Sequence, residues 1–225
     1  MSRPSARRPE AAAEGAGLPV LLRGAAIRAL VVGGGMVAAR KLATLLEAGA
    51  GHVRVVAPRL SAELREAASP AGGRVELVER AYEAGDIAQA NLVIAATNVR
   101  AVNAVVARDA DALGRLVSVT DAPAEGTWTA MATHRTGSLV VGVSAGGVPT
   151  AATRVRDAIA ARFDARYAAA VERLAAIRGH LIEHGEGERW RDAAGEVTGE
   201  DFCAAVESGD LSRRIARWEA TSSWA

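Results

Sequence analysis

Between Ile27 and Val119, short apolar runs alternate with stretches of helical spacing. Ile27–Val32 is an apolar run that ends at three glycines, which predicts a buried strand. Met36–Ala48 follows, with Val37, Leu42, Leu45 and Leu46 spaced to share one helix face and Gly49 placed to stop it. Val53–Val56 predicts a second strand, ended by Pro58. Ser61 is a cap candidate for a helix over Ser61–Ala68. Val75–Val78, Asn91–Ala95 and Leu116–Val119 predict further strands, with a helix over Ala101–Asp109 between the last two. Strands that alternate with helices predict a parallel sheet joined by crossovers, an α/β fold.

The pattern changes after Asp121. Thr127–Thr133 and Ser138–Val143 read as two strands of an antiparallel hairpin around His134-Arg135-Thr136-Gly137. Pro149–Arg162 returns to helix, and residues 163–225 are helical and charged, with breaks at Gly185–Gly187 and Gly209. Residues 1–17 are polar, Ala-rich and aperiodic, and read as a disordered tail.

Composition narrows the classes. Half of the 225 residues are hydrophobic, enough for a sizeable core. With 27 basic and 26 acidic residues the chain has no charge excess that would favour nucleic acid. The single cysteine, Cys203, excludes an internal disulfide and fits a cytoplasmic location. No apolar run is long enough for a membrane span, and no apolar signal core follows the first arginines. Lys41 is the only lysine in an Arg-rich chain, so arginine-rich surface stretches carry little weight.

The most specific chemistry lies in Val31-Val32-Gly33-Gly34-Gly35-Met36-Val37-Ala38, which contains G-x-G-x-x-A at Gly33, Gly35 and Ala38. Gly33 permits the tight strand-to-helix turn, Gly35 lets backbone approach a pyrophosphate, and Ala38 lets the helix pack near the strand. The helix N-terminus then offers N–H donors and the positive end of its dipole to phosphates. The pattern follows a predicted strand and opens a predicted helix, the context that a dinucleotide site needs. The second strand ends Val56-Ala57-Pro58-Arg59 without the acidic residue that usually receives the ribose hydroxyls of NAD. Arg59 is compatible with a 2′-phosphate and equally with a solvated loop charge, so these residues leave NAD and NADP open.

Several longer segments together resemble one family. Gly33-Gly34-Gly35-Met36-Val37-Ala38-Ala39-Arg40-Lys41 resembles the G-G-G-x-V-A-x-R-K motif of the precorrin-2 dehydrogenase / sirohydrochlorin ferrochelatase family, which includes the N-terminal module of siroheme synthase. Leu18-Pro19-Val20, Leu46-Glu47-Ala48-Gly49-Ala50 and Val55-Val56-Ala57-Pro58 are similar to its segments as well. So are Ala95-Ala96-Thr97-Asn98 with Val102-Asn103, Val119-Thr120-Asp121-Ala122-Pro123 and Val143-Ser144-Ala145-Gly146-Gly147. Glu188-Arg189-Trp190 matches a late stretch more loosely. The resemblance spans residues 18–210.

It implies an N-terminal NAD-binding Rossmann domain at 18–123, a dimerisation region at 124–165 and a small helical domain at 166–225, assembled as a homodimer. It also implies NAD-dependent oxidation of precorrin-2, a tetrapyrrole, to sirohydrochlorin; some members then insert ferrous iron. By position it assigns Met36, Val37, Pro58 and Arg59 to the nucleotide. Thr97 and Asn98, ending the fourth strand, face the cofactor cleft of such a fold. It places the general base on Asp121, at the carboxyl edge of the fifth strand, where a carboxylate could take the proton released as hydride leaves. Read from its neighbours alone, Asp121 is more simply an ordinary turn residue before Pro123.

The chain departs from the family at Ala145, at Val148-Pro149-Thr150 and at Ala130-Met131-Ala132. These changes cluster in the dimer and substrate region and bear on metal insertion more than on oxidation. A dehydrogenase-only member and a non-catalytic nucleotide- or tetrapyrrole-binding regulator are the competing readings. No metal site is assigned. His180-Leu181-Ile182-Glu183-His184 spells H-x-x-E-H, but Gly185 ends the helix at once and no third ligand is indicated. His134 reads as a turn residue, Trp128 as core, and Trp190, Trp218 and Trp224 as packing or tail residues. Arg154 and Arg156 are open between substrate carboxylates and plain surface charge.

Overall fold

A computed structural model of the chain describes residues 17–220. Apart from Gly17, the tail expected at 1–17 lies outside them, as does Trp224. The chain divides into two compact units, residues 18–130 and the residues from Met131 onward.

The first unit contains β1 (Arg28–Val32), α1 (Met36–Glu47), β2 (His52–Val56), α2 (Ala62–Ala68), β3 (Val75–Val78), β4 (Leu92–Ala95), α3 (Arg100–Ala112) and β5 (Leu116–Val119). Its five strands are all parallel, in the order β3-β2-β1-β4-β5. Chain order reverses direction between β1 and β4, which makes their carboxyl ends the place where such sheets bind ligands. β1 is central, and Ala29–Val32 are all buried because helices or loops cover both faces.

One face carries α1 and α2 over a cluster that includes Val31, Leu42, Val53, Val55, Leu64 and Ile94. The other carries α3 over Leu30, Val32, Val56, Val93, Val106 and Val117. α1 ends as expected at Gly49, whose φ of +75° suits glycine. The Gly49 N–H donates to Leu46 O (2.9 Å) and the Ala50 N–H to Leu45 O (2.9 Å), which satisfies the final carbonyls. Ser61 caps α2, accepting from the Leu64 N–H at 3.3 Å. Between β3 and β4 no long helix forms. A short 3-10 turn at Ala84–Ile87 is held instead by buried Asp86, which accepts two bonds from Arg80 (2.7 and 2.9 Å) and one from the Glu83 N–H (3.0 Å). The Arg80 guanidinium keeps the Asp86 carboxyl below the usual carboxylate range.

The second unit opens with an antiparallel hairpin, β6 (Ala132–Thr136) and β7 (Leu139–Val143). α4 (Pro149–Arg162), α5 (Ala165–Glu183), α6 (Gly187–Val197), α7 (Phe202–Ser208) and α8 (Asp210–Ala220) follow. Tyr167, Leu174, Ile177, Leu181, Leu211 and Ile215 form its core, with Trp190 and Trp218 packed against it.

Three expectations need correction. The first hairpin strand is Ala132–Thr136, not Thr127–Thr133, so His134 and Arg135 lie in a strand. The turn is set by Gly137, whose φ of +50° opens a two-residue link between paired Thr136 and Leu139. Residues before it return along β5 instead: the Thr127 N–H donates to Val117 O (2.7 Å), and Trp128 packs on the α1 face of the sheet. Val37 does not join the buried face of α1, which is formed by Ala38, Ala39, Leu42 and Leu45. The helical region also breaks at 198–201, between α6 and α7, where no break was expected.

Candidate nucleotide site at the carboxyl edge of the sheet

The glycine turn between β1 and α1 is held by backbone on both sides. The Gly33 N–H donates to Val56 O (3.0 Å), and Gly34 O accepts from the Ser61 N–H (2.8 Å). Gly33 has φ +139°, and a Cβ there would lie 2.4 Å from Ala96 O. A Cβ on Gly34 would lie 1.9 Å from Arg59 O. Those two positions need glycine because neighbouring loops close on them. A Cβ on Gly35 would meet nothing within 4 Å, so this glycine opens toward empty space at the helix end. α1 has no side-chain cap and no acidic residue in its first turn. Its first N–H groups and dipole are therefore left for an anion.

The surroundings fit a dinucleotide. Ala38 is fully buried between helix and strand, while Met36 (67 % exposed) and Val37 turn outward beside the open turn. Val99, after β4, is likewise exposed. Apolar side chains left in water around an uncapped helix end supply a surface that a nucleotide can cover. Beyond β2, Ala57 is buried while Pro58 and Arg59 are exposed, and no carboxylate stands there.

Thr97 and Asn98, ending β4, have different surroundings. Thr97 is held from within: its N–H and Oγ1 both donate to Asn103 Oδ1 (3.1 and 2.7 Å), and Asn103 Nδ2 donates back to Thr97 O (3.0 Å). Asn98 is exposed. Asn103 is fully buried on α3 and fixes the loop that borders the cleft. No dinucleotide or family motif assigns Asn103 a role in the sequence. A signal was there, since Asn103 shares helical spacing with buried Val106, Ala107 and Ala110. Gly34 was passed over too, because the dinucleotide pattern leaves its position free.

Asp121 follows the end of β5. The preceding Thr120 donates both N–H (3.0 Å) and Oγ1 (3.1 Å) to Ala95 O, tying the ends of β4 and β5 together. With Ala95 paired to Val119, Thr97 and Asp121 leave the sheet at equivalent positions on neighbouring strands. Asp121 is exposed, free to meet a ligand arriving from solvent. Arg100, at the start of α3, is ion-paired with Glu125, and its charged form is favoured first by that pair and also by Asp121. On the outer side of α1, Val37, Arg40, Lys41 and Thr44 line a groove, and burial together with Arg40 lowers the pKa of Lys41.

The remaining candidates lie in the second unit. His134 Nε2 lies 2.6 Å from Phe163 O, a strand-to-helix tie. Rings of His180 and His184 stand 4.2 Å apart at the end of α5, with His184 Nδ1 at 2.8 Å from His180 O. Among the described residues no group of three or more His, Cys, Asp or Glu converges as a metal site. Nor is any helix among them long and apolar enough to cross a membrane. Arg156 pairs with adjacent Asp157, and Arg154 is an exposed α4 residue.

Comparison with known proteins agrees with this architecture. Residues 20–132 match a family model described as "Putative NAD(P)-binding". Siroheme synthase of Pseudomonas aeruginosa (strain PAO1) is 47% identical over 129 residues, covering 57% of this chain and 27% of that protein. Siroheme synthase of Saccharophagus degradans is 35% identical over 191 residues, covering 84% of this chain and 36% of its own length. The chain thus spans roughly a quarter to a third of the curated relatives it matches. A solved structure, SirC, precorrin-2 dehydrogenase, superposes with a TM-score of 0.69 at 25% identity, covering 89% of this chain and 100% of that one. The chain belongs to the NAD(P)-binding family whose model it matches, and it is similar along most of its length to siroheme synthase and to the precorrin-2 dehydrogenase SirC.

Proposed function

We propose that the chain oxidises precorrin-2 to sirohydrochlorin with NAD as acceptor. The observation that carries this is the convergence of the glycine turn of β1, the Thr97 loop of β4 and Asp121 of β5 on one carboxyl edge. Similarity to siroheme synthases and to SirC supports the choice of substrate.

NAD bound at this edge supplies the hydride acceptor. The chain's own residues do the rest. Gly33 and Gly34 hold the turn, Gly35 leaves the path to the α1 N-terminus clear, and Ala38 seats the helix on the sheet. Met36, Val37 and Pro58 give the nucleotide apolar contacts. Thr97 and Asn98 border the cleft, with Thr97 kept in place by Asn103. Asp121 takes the proton lost as two hydrogens leave the macrocycle, so that precorrin-2 and oxidised NAD give sirohydrochlorin, reduced NAD and one proton. A carboxylate at the sheet edge suits that role because it is open to solvent and to a ligand arriving there.

We further propose a homodimer formed through residues 124–165 and a cytoplasmic site of action. α4 buries only Ala152 of its 14 residues and leaves Val155 exposed, a surface suited to a second copy.

The test is an anaerobic assay of the purified chain with precorrin-2 and NAD. Sirohydrochlorin absorbance should rise with formation of reduced NAD, and absence of both would overturn the proposal. A second arm adds ferrous ion to sirohydrochlorin. Siroheme formation would extend the reading to metal insertion, with iron as co-substrate, and its absence would leave a dehydrogenase alone.

A further inference from the structure

We propose that the nucleotide site accepts NADP as well as NAD, with Arg59 as the residue that receives the 2′-phosphate. The inference rests on the dinucleotide reading of the glycine turn and concerns which dinucleotide that turn admits.

In a Rossmann site the 2′-oxygen of the adenosine ribose falls beside the end of the second strand. A carboxylate there holds the free hydroxyls of NAD and repels a phosphate. Here the strand ends Val56-Ala57-Pro58-Arg59, and that carboxylate is missing. The position of Arg59 is fixed by its own backbone. Its carbonyl closes so tightly on the glycine turn that a Cβ on Gly34 would lie 1.9 Å from it. Two residues later the Ser61 N–H donates to Gly34 O at 2.8 Å. The 59–61 loop therefore wraps the turn, and Arg59 starts at the adenosine end of the site.

Among the described residues nothing competes for its charge. The Arg59 side chain is exposed and makes no hydrogen bond or ion pair among the described residues. None of the acids near it in sequence pairs with it. The Glu63 carboxyl, in the first turn of α2, is held below its usual range by its own backbone N–H and by Ser61. Glu79 pairs with Arg65 at 2.8 Å. The side chain next to the ribose is thus a guanidinium with all its donors free, and guanidinium binds phosphate through paired N–H groups. A ribose without the phosphate meets no repulsion there either, so NAD remains a ligand.

Calorimetric titration of the full chain with NAD and with NADP tests this directly. Wild type should bind the two within about tenfold of each other. Arg59→Ala should weaken NADP by about tenfold or more, about 1.4 kcal/mol, while NAD changes by less than about threefold. Arg59→Glu should widen the gap further, since it places a like charge against the phosphate. Circular dichroism confirms that each variant is folded. NAD binding with NADP at least a hundredfold weaker in wild type would overturn the proposal. So would an equal loss of both ligands in Arg59→Ala. Failure of wild type to bind either nucleotide would instead remove the dinucleotide reading, and this proposal with it.

Discussion

The two units treat their apolar residues differently. Over residues 18–130 the sheet is buried on both faces, and β1 and β4 consist almost wholly of buried side chains. In the hairpin beyond Met131 no strand residue is fully buried, and Ala152 is the one fully buried residue of α4. The first unit satisfies itself, and among its exposed apolar residues Met36, Val37 and Val99 follow the carboxyl ends of β1 and β4, the edge that carries the open turn. Those of the second include Val148, just before α4, and Val155 within it, both half exposed. A self-sufficient unit with an open edge suits a small ligand. A partly covered hairpin and helix suit a partner surface.

This contrast can be broken most severely at Gly34. Gly34→Val places its side chain against the Arg59 carbonyl, where nothing flexible can give way. We expect a stability loss of about 3 kcal/mol or more, read by urea denaturation, and no measurable NAD binding. Near-wild-type stability would mean that the 59–61 loop is not packed as described. Next comes Asn103→Ala, which strands the backbone N–H and carbonyl of Thr97. The expected cost is about 2 kcal/mol, with NAD binding weakened several-fold as the loop loosens. Unaltered NAD affinity would separate the clamp from the site.

The smallest effect on the nucleotide unit should come from Val155→Asp on α4. Sedimentation should show wild type as a dimer and the variant shifted to monomer at micromolar concentration, with NAD affinity unchanged. A monomeric wild type would remove the partner-surface reading of the second unit.

The same contrast governs how much was legible in the sequence. The bounds expected for Val75–Val78 and Leu116–Val119 match the observed strands although both lie at sheet edges and are only partly buried, because breakers such as Gly73 and Gly114 precede each run. Gly49 and Ser61 announced a helix end and a helix start through local chemistry alone. The hairpin was misplaced because its strands are half-buried and carry no clean alternation. Thr127 and Trp128, which look like strand residues, are used to pad β5.

At the site, glycines whose role is local could be placed from the pattern. The need for glycine at Gly34 comes from Arg59, 25 positions away in the chain, and that contact exists only in the folded turn. Asn103 shows in the sequence only as a polar residue on the buried face of α3; that it holds the N–H, hydroxyl and carbonyl of Thr97 exists only in the folded loop. The spacing of Val37 with Leu42, Leu45 and Leu46 predicts a core position, but in the fold it is exposed on the outer side of α1.

The central claim is that Asp121 takes the proton beside a dinucleotide held at the glycine turn. Single-turnover oxidation of precorrin-2 by Asp121→Asn, measured beside NAD affinity and melting temperature, tests it most directly. Asparagine keeps the size and turn preference of aspartate but cannot accept a proton at neutral pH. The account predicts a rate lower by about a hundredfold or more, with NAD affinity and melting temperature close to wild type. A variant that oxidises precorrin-2 at the wild-type rate would contradict it.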